Sequence, residues 1–185
     1  MKTAEDYLSG HVLLIDKPLH WTSFQVVNKL RWEIRRAFDI KKIKVGHAGT
    51  LDPLATGLLV ICTGKMTKQI DTFQGQAKEY TGTFVLGSST PSYDLESEID
   101  QTYPTSHITE DLIKSTTSQF VGDIHQFPPV FSALKKDGKR LYEFARAGEE
   151  VDIPSRLVNI SEFEITAIDG LNVNFRVVCS KGTYI

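Results

Sequence analysis

The stretch that most constrains the fold is residues 46–59, GHAGTLDPLATGLL. It places one acid, Asp52, in a loop punctuated by glycines, and the apolar run LLVIC follows at residues 58–62. A short apolar run bounded by turn residues predicts a buried strand. Binding and catalytic side chains are often carried on loops that rigid elements hold in this way. The sequence therefore predicts a carboxylate fixed beside a core strand and able to face a cleft.

Composition places the chain among ordinary globular proteins. Its 185 residues are 41% hydrophobic and 24% charged, enough for one sizeable core or a core with a small subdomain. No apolar run approaches the roughly 18 residues of a membrane helix, and the acidic N-terminus lacks a signal-peptide core. Cys62 and Cys179 have no metal or redox spacing, which predicts two buried thiols in a reducing compartment. We therefore expect a cytoplasmic protein.

Charge is distributed unevenly, although the net charge is −2 and the isoelectric point about 6.2. Residues 29–44 hold seven basic side chains against two acids, and residues 135–146 hold five against two. Residues 90–111 hold six acids and no Lys or Arg. Any one cluster is more typical of a solvated face. Two basic segments beside an acidic one nevertheless predict a dipolar surface, which the near-neutral isoelectric point conceals.

Hydrophobic periodicity predicts both strands and helices along the chain. We expect strands at residues 11–16, 58–62, 78–87, 158–168 and 171–179. We expect helices at residues 22–38, 67–73, 109–120 and 140–147. A tight turn at Asp169 and Gly170 joins the last two strands. Together these elements predict an α+β fold in which helices flank a mostly antiparallel, mixed sheet.

The first predicted helix has a capping residue, Thr22 or Ser23, and one apolar face. That face is expected to comprise Val26, Val27, Leu30, Ile34, Ala37 and Phe38. Residues 88–106 are polar and acidic, which predicts a mobile loop. Residues 127–154 form an inserted excursion that contains a KDG turn, with Gly148 as a natural helix stop.

The candidate site residues each have an ordinary structural alternative. Asp-Pro is a common turn pair, so Asp52 can simply bond its own backbone. Tyr80 lies in a predicted strand, where a tyrosine usually packs across strands. His47 can be a surface or core histidine, or an aromatic that stacks on an unpaired base. Phosphate-loop, dinucleotide-binding, metal-cluster and Ser-His-Asp patterns are all absent from the sequence.

Five ordered blocks resemble one family, the TruB family of tRNA pseudouridine synthases. GHAGTLDPLATGLL resembles its central catalytic motif, and DKPLHWTS resembles its first motif, with His20 where glycine is usual. GKMTK followed by KEYTGTFVLGSST resembles the stretch that bears the active-site lysine and tyrosine. FPPVFSALKKDGKRLYEFARAG resembles the RNA-binding insertion, and VVCSKGTYI the next catalytic segment. The blocks cover nearly everything from residue 11 to residue 185.

The resemblance implies a pseudouridine synthase fold and an isomerase. Residues 1–185 would form a partial catalytic domain, with an RNA-binding insertion at about residues 127–154. The reaction would convert uridine to pseudouridine at position 55, in the T loop of tRNA, by detaching the base, rotating it and rejoining it through carbon. This chemistry needs no cofactor. The expected partner is the T arm of tRNA, with no membrane or metal partner, and the protein is expected to be a monomer.

The resemblance also implies roles for individual residues. Asp52 would act on the target uridine, as a nucleophile or as an electrostatic partner of the anomeric carbon. Tyr80 would stack on the flipped base and His47 would fill the gap left behind, which is useful because flipping costs on the order of a few kcal/mol. The remaining residues expected to contact the RNA or support the pocket are Lys68, Asp94, Lys135, Lys136, Lys139, Arg140, Arg146, Lys181 and Tyr184.

Two departures from the family pattern bear on these roles. Pro91 replaces an acid that is usual near Asp94, so that loop is expected to differ. In the family an arginine follows KGTYI and pairs with the catalytic aspartate, whereas this sequence stops at Ile185. Without that cation a carboxylate in a dry pocket would be less ionised. We therefore expect this chain to be poorly active or inactive and the intact protein to be an enzyme.

Other functions stay open at the level of the sequence. A non-catalytic module that binds or folds RNA would use the same pocket and the same basic segments. An aspartate-dependent glycoside hydrolase would need a second carboxylate, which only residues 94–100 offer. A relative that modifies another RNA through a guide is a further alternative within the family.

Overall fold

The computed structural model describes residues 2–130, 132, 134–136, 138–147, 149 and 151–185. The chain divides into two compact units, Met1–Gln76 and Ala77–Ile185. Both units combine helices with antiparallel strand pairs, which confirms the expected α+β class with antiparallel sheets flanked by helices. Among the helices of the described residues, none has the length and apolarity of a membrane span.

The first unit is a three-stranded antiparallel sheet with helices. Its elements are α1 (Ala4–Ser9), β1 (Val12–Lys17), α2 (Ser23–Phe38), β2 (Val45–His47), β3 (Gly57–Thr63), a 3-10 helix (Gly64–Gln69) and α3 (Ile70–Gln74). The strand order is β1-β3-β2, so the central strand is the apolar run that follows the Asp52 loop. Leu59, Ile61 and Cys62 of that run are buried, which accounts for its apolar composition.

Helix α2 begins where the sequence predicts. Thr22 and Gln25 form a capping box, in which each side chain bonds the other residue's backbone N–H at 2.7 and 3.1 Å. The helix ends at Asp39, whose left-handed backbone (φ 50°) closes the last turn. A capping box and a left-handed residue therefore set both ends of the helix.

One face of α2 covers the sheet and forms the core of the first unit. Val27 and Ile34 pack with Leu59 and Ile61 of β3 in one buried cluster. The predicted apolar face is wrong at its end, because Ala37 and Phe38 are exposed. Phe38 instead contacts the ring of Tyr7, with centroids 5.6 Å apart.

The second unit is a four-stranded antiparallel sheet with short additional elements. They are β4 (Lys78–Val85), β5 (Ser88–Ser89), β6 (Gln101–Thr102), α4 (Glu110–Thr116), a 3-10 helix (Thr117–Phe120), β7 (Gly122–Gln126), β8 (Lys135–Lys136), β9 (Lys139–Arg140), α5 (Leu141–Ala147), β10 (Arg156–Asp169) and β11 (Asn172–Cys179). The large sheet has the order β4-β11-β10-β7. The predicted turn is confirmed, since Gly170 takes a positive φ of 58° between β10 and β11.

The structure differs from the sequence predictions mainly in short elements. The helix expected at residues 67–73 is a 3-10 helix followed by α3, and the segment expected to be irregular at residues 88–106 contains the pair β5–β6. Neither α1, β2 nor β7 was predicted, because each has at most six residues and too few apolar positions to show a period. The helix stop expected at Gly148 lies outside the described residues.

Opposite faces of the large sheet differ in chemistry. On one face Phe175, Val177 and Cys179 are buried in an apolar cluster. On the other face Arg176 bonds Glu79 of β4 at 2.7 Å and Glu162 of β10 at 2.6 Å, linking three adjacent strands. Cys62 and Cys179 are both buried and free, as predicted, and burial raises the pKa of each thiol.

The apolar face of β4 has a gap filled by an aromatic ring. Gly82 pairs directly with Phe175, whose ring stacks on Phe84 with centroids 4.3 Å apart. A Cβ added at Gly82 would lie 2.7 Å from Cζ of Phe175. The glycine therefore makes room for the ring, an arrangement that also covers an exposed stretch of backbone.

We expect Gly82→Ala to destabilise the protein by about 1–3 kcal/mol, because the Phe175 ring must leave its stacked position. The measurement is the free energy of unfolding in denaturant. Gly75→Ala is the matched control, since its added Cβ would approach only backbone oxygens at 3.4 Å and 3.5 Å. That control is expected to be neutral or stabilising by up to about 1 kcal/mol. Equal stability of the two variants would contradict the packing argument.

Candidate functional site

The Asp52 loop connects β2 to β3 within the first unit. The two strands pair up to His47 and Ile61, and Ala48 N–H donates to Val60 O at 2.8 Å, after which the chain leaves the sheet. Gly49 and Gly57 bound the excursion with φ values of 123° and 114°, a region that favours glycine. The glycines noted in the sequence therefore serve as the two bends of this loop.

Before Asp52 the loop is bonded to the start of α2. The buried hydroxyl of Ser23 accepts from Leu51 N–H at 3.0 Å and donates to Leu51 O at 3.1 Å. One side chain thus satisfies both polar groups of a single loop residue. These two bonds fix the direction in which the chain enters Asp52.

After Asp52 the loop is bonded to the segment that joins β1 to α2. Ala55 N–H donates to Asp52 O at 3.1 Å, which closes a turn around Pro53. Pro53 O accepts from His20 N–H at 2.7 Å. The backbone is therefore fixed on both sides of Asp52.

Lys17 lies beneath this junction, with 0% of its surface exposed. Its ammonium donates to three backbone carbonyls, Trp21 O at 2.6 Å, Pro18 O at 3.0 Å and Pro53 O at 3.5 Å. Three acceptors match the three N–H groups of an ammonium, which is what a buried charge requires. Burial lowers the pKa of Lys17, and attraction to the Asp52 carboxylate opposes that shift.

Asp52 itself is exposed, above a buried cation and between two anchored neighbours. A fixed backbone lowers the entropy lost when a ligand is engaged, and a nearby positive charge stabilises the ionised carboxylate. The arrangement suits a carboxylate that acts on a ligand from outside the fold, as a nucleophile or as a negative charge near a developing cation.

His47 and Lys68 belong to the same unit. The Nδ1 atom of His47 lies 2.6 Å from Gly49 O, and since a carbonyl only accepts, Nδ1 carries the hydrogen. This bond fixes the ring beside the first bend of the loop. Lys68 is exposed in the last turn of the 3-10 helix that follows β3. The first unit thus holds three of the sequence-predicted site residues, His47, Asp52 and Lys68.

Tyr80 and Lys181 belong to the second unit. Tyr80 on β4 pairs with Val177 and packs, partly buried, against the apolar cluster of the sheet. Two residues earlier, burial lowers the pKa of Lys78, with a further lowering from the charge of Lys181. Lys181 is exposed just beyond β11. Because the start of β4 pairs with the end of β11, Tyr80 and Lys181 lie toward the same end of the sheet.

The terminal KGTYI segment is bonded to β7 and β10. Gln126 accepts from Tyr184 N–H and donates to Tyr184 O, both at 2.8 Å. Ser180 N–H donates to Asn159 O at 2.8 Å, and Asn159 N–H donates to the Ser180 hydroxyl at 2.9 Å. These reciprocal bonds hold Tyr184 and its neighbours in one conformation.

Asp94 has mainly local contacts in the structure. Its carboxylate accepts from the Ser92 hydroxyl at 2.6 Å and from Glu96 N–H at 3.0 Å. Thr90 donates to Asp94 O at 2.7 Å. These bonds build a turn of the acidic segment, and a role for Asp94 toward RNA stays a prediction.

Four of the five cations of the second basic segment lie on the paired strands β8 and β9. In their register Lys135 pairs with Arg140 and Lys136 with Lys139, so four cationic residues share two short strands. Lys139 is exposed, with its ammonium 5.3 Å from the centroid of the Phe144 ring. The side chains of Lys135, Lys136, Arg140 and Arg146 lie outside the description.

Sequence reasoning missed Lys17 and Ser23, the two side chains that hold the loop. Nothing in the residue type singles out Lys17, because a lysine at the end of an amphipathic strand is normally exposed. The available signal was the alternation of β1, in which Leu13, Ile15 and Lys17 share one face. Among the described residues no group of three or more His, Cys, Asp or Glu is placed to hold a metal ion.

Comparisons with known proteins point to a single family. Residues 35–185 match the model of the TruB family pseudouridylate synthase N-terminal domain. A tRNA pseudouridine synthase B of Flavobacterium johnsoniae is 66% identical over 184 residues, covering 99% of this chain and 80% of the relative. The enzyme of the same name from Parabacteroides distasonis is 57% identical, covering 97% and 77%.

A solved structure shares the fold at lower identity. The match is to a chain of a Cbf5-Nop10-Gar1 complex, with a TM-score of 0.66 and 26% identity. It covers 100% of this chain and 44% of that one. The family model and the similarity of two relatives over 99% and 97% of this chain agree, and the chain belongs to the TruB family of pseudouridylate synthases.

Proposed function

We propose that this protein isomerises uridine to pseudouridine in the T loop of tRNA, at position 55, with Asp52 acting on a flipped-out nucleotide. The observation that carries the proposal is the Asp52 loop: an exposed carboxylate whose two neighbours are bonded to Ser23, His20 and Lys17. Similarity to enzymes named tRNA pseudouridine synthase B supports the substrate and the reaction. The protein would act in the cytoplasm, as a monomer, on the T arm.

The reaction places two demands on the carboxylate, and the loop meets both. It must approach the ribose and base of an everted nucleotide, so it has to lie on the surface of its unit. It must also stay ionised while positive charge develops at the anomeric carbon, which a neighbouring cation favours. Lys17 is such a cation, and its burial keeps it from competing for the RNA phosphates.

Other residues would handle the RNA around the flipped base. His47, fixed beside the loop, would fill the space that the nucleotide leaves, and Tyr80 would stack on the base. Lys68 would contact the RNA backbone or support the site around Asp52, and Lys181 would also bind RNA. Residues 127–154 would form the RNA-binding insertion, with the cations of the β8–β9 pair and of α5 bound to phosphates.

We expect Asp52→Asn to lower pseudouridine formation by about 10³-fold or more, because the amide cannot act as a nucleophile or carry the charge. The measurement is tritium release from uridine-labelled tRNA. Affinity for tRNA is expected to stay within about twofold, since the two side chains have the same size. Asp111→Asn, an exposed acid in the first turn of α4, is the matched control and is expected to keep full activity.

The same variant separates the enzyme from a non-catalytic RNA-binding or RNA-folding module. A module would lose no function when Asp52 becomes Asn, because its task depends on contacts that the amide retains. Undiminished turnover by Asp52→Asn would sink the proposed chemistry.

We expect Lys17→Met to lower turnover by about tenfold to a hundredfold while tRNA affinity changes little. Methionine fills the space but cannot bond Trp21 O or support the charge of Asp52, and small displacements of a reacting group are costly. Stability is expected to fall by about 1–3 kcal/mol from the unpaired carbonyl.

The control for that variant is Lys114→Met, which removes an exposed lysine of α4 that pairs with Glu110 one turn earlier. It is expected to change neither turnover nor stability by a measurable amount. Because Lys17 acts through Asp52, its removal should lower kcat far more than it raises KM. If the fraction of folded protein fell by the same factor as kcat, the lysine would have only a structural role.

A further inference from the structure

Both tryptophans of the chain lie on the solvent side of α2 and its lead-in. They are Trp21 and Trp32, and 39% and 50% of their surfaces are exposed. A tryptophan usually loses most of its surface on folding, because its ring gains most from burial. Exposed aromatic rings are instead enriched where proteins bind partners. The concentration of both rings on one surface therefore indicates a contact area.

These rings belong to a regular row. Gln25, Lys29, Trp32 and Arg36 follow one another at intervals of four, three and four residues, so they line the helix face opposite the buried Val26–Val27–Ile34 side. Trp21 extends the row at its N-terminal end. We call Trp21, Gln25, Lys29, Trp32 and Arg36 the α2 row.

The α2 row presents an aromatic ring flanked by two cations. The Lys29 ammonium lies 5.1 Å and the Arg36 guanidinium carbon 5.0 Å from the centroid of the Trp32 ring. Glu33 is the one acid of the helix and pairs with Lys29 at 2.6 Å. The row thus keeps a net positive charge around an exposed aromatic face.

Neighbouring arginines of the same helix have a different task. Arg31 donates to Val45 O at 3.0 Å, and Arg35 donates to Ile40 O at 3.3 Å. Both therefore bond the backbone that follows the helix in their own unit. Lys29 and Arg36, by contrast, flank the exposed ring of Trp32. The row therefore differs from a helix surface that is charged all round.

The N-terminal half of the row encloses a small open concavity. Trp21, Gln25, Asn28 and Lys29 line a volume of about 250 Å³. Sites for small molecules and cofactors usually measure about 300–1,000 Å³ and bury most of the ligand. A smaller open site with one ring, two amides and a cation suits a single planar group that is part of a larger ligand.

The charges identify the class of that ligand. Residues 29–44 hold seven basic side chains against two acids, although the whole chain has a net charge of −2. A segment with charge opposite to that of the protein attracts a polyanion. RNA matches the whole row, because its phosphates bind cations and the faces of unpaired bases stack on aromatic rings.

We propose that the α2 row is a second RNA-contact surface, which binds the tRNA outside its T arm through phosphates at Lys29 and Arg36 and through base stacking at the tryptophans. The proposal rests on the proposed function only in taking tRNA as the ligand. Its position fits, because Trp21 adjoins the Asp52 loop through the shared partner Lys17. From there the row runs about 16 Å along the helix between Gln25 and Arg36, at 1.5 Å per residue.

The test is a titration with unmodified tRNA in the Asp52→Asn background, where no turnover contributes. Both tryptophans lie at the proposed surface, so intrinsic fluorescence reports contact directly. We expect tRNA to quench it, and Lys29→Gln/Arg36→Gln to bind about tenfold more weakly, with a salt dependence reduced by about one to two phosphate contacts. Trp32→Phe is expected to remove a large part of the quenching.

Lys2→Gln/Lys114→Gln is the control, because it also removes two positive charges, from exposed lysines outside the α2 row. It is expected to bind tRNA within about twofold of the parent, and circular dichroism should show both double variants folded. An isolated T-arm hairpin is expected to bind all three proteins alike, since the row would contact the tRNA outside that arm. If the affinity for the hairpin differed among the three proteins as much as the affinity for tRNA does, the placement of the row outside the T arm would be wrong.

Three further outcomes would decide against the proposal. Equal tRNA affinity of the two double variants would contradict RNA binding by the α2 row. It would not bear on the proposed chemistry of Asp52. Quenching by phosphatidylserine vesicles but not by tRNA would assign the row to a membrane surface. Failure of every variant and of the parent to bind tRNA would contradict the RNA substrate of the proposed function itself.

Discussion

A buried ammonium organises the part of the molecule where chemistry is proposed. Among the residues that the structure describes, Lys17 is the one charged side chain that is buried. Removing a charge from water costs several kcal/mol even after the surroundings relax, so its carbonyl partners must stay in place. Two of those partners, Pro18 and Trp21, lie in the connection between β1 and α2, and the third, Pro53, lies in the Asp52 loop. Satisfying one cation therefore holds this connection and the loop together.

The rest of the first unit supports that junction. Helix α2 is positioned by its apolar face on the sheet, and its first residue, Ser23, bonds Leu51, the residue that precedes Asp52. The hairpin of β2 and β3 determines where the loop leaves the sheet. When a strand, a helix and a cation all restrict the backbone of a loop, a carboxylate on that loop is positioned as well as one on a helix or strand. This explains how Asp52 can be both exposed and well placed.

Much of the fold follows from periodicity, and the site follows from it only in part. The helix over Ser23–Phe38 and the strands on either side of Gly170 were predictable, because long periodic segments with capping or turn residues leave few alternatives. Asp52 stood out through the glycines around it. The alternation of β1 indicates that Lys17 shares a face with Leu13 and Ile15, but its binding partners could not be predicted, because they are backbone carbonyls, which every residue carries. A short strand such as β2 is stabilised by its pairing with β3 and not by the β-propensity of its own residues, so the sequence alone does not predict it.

The pairing of Gly82 with Phe175 has an evolutionary consequence. The flat ring occupies the volume that any side chain at position 82 would need, so neither position is free to change alone. Across homologues the two sites should covary: aromatic residues at 175 with glycine at 82, and smaller aliphatic residues at 175 with alanine or larger at 82. Such a correlated pair would show that the packing of the large sheet constrains these two positions together.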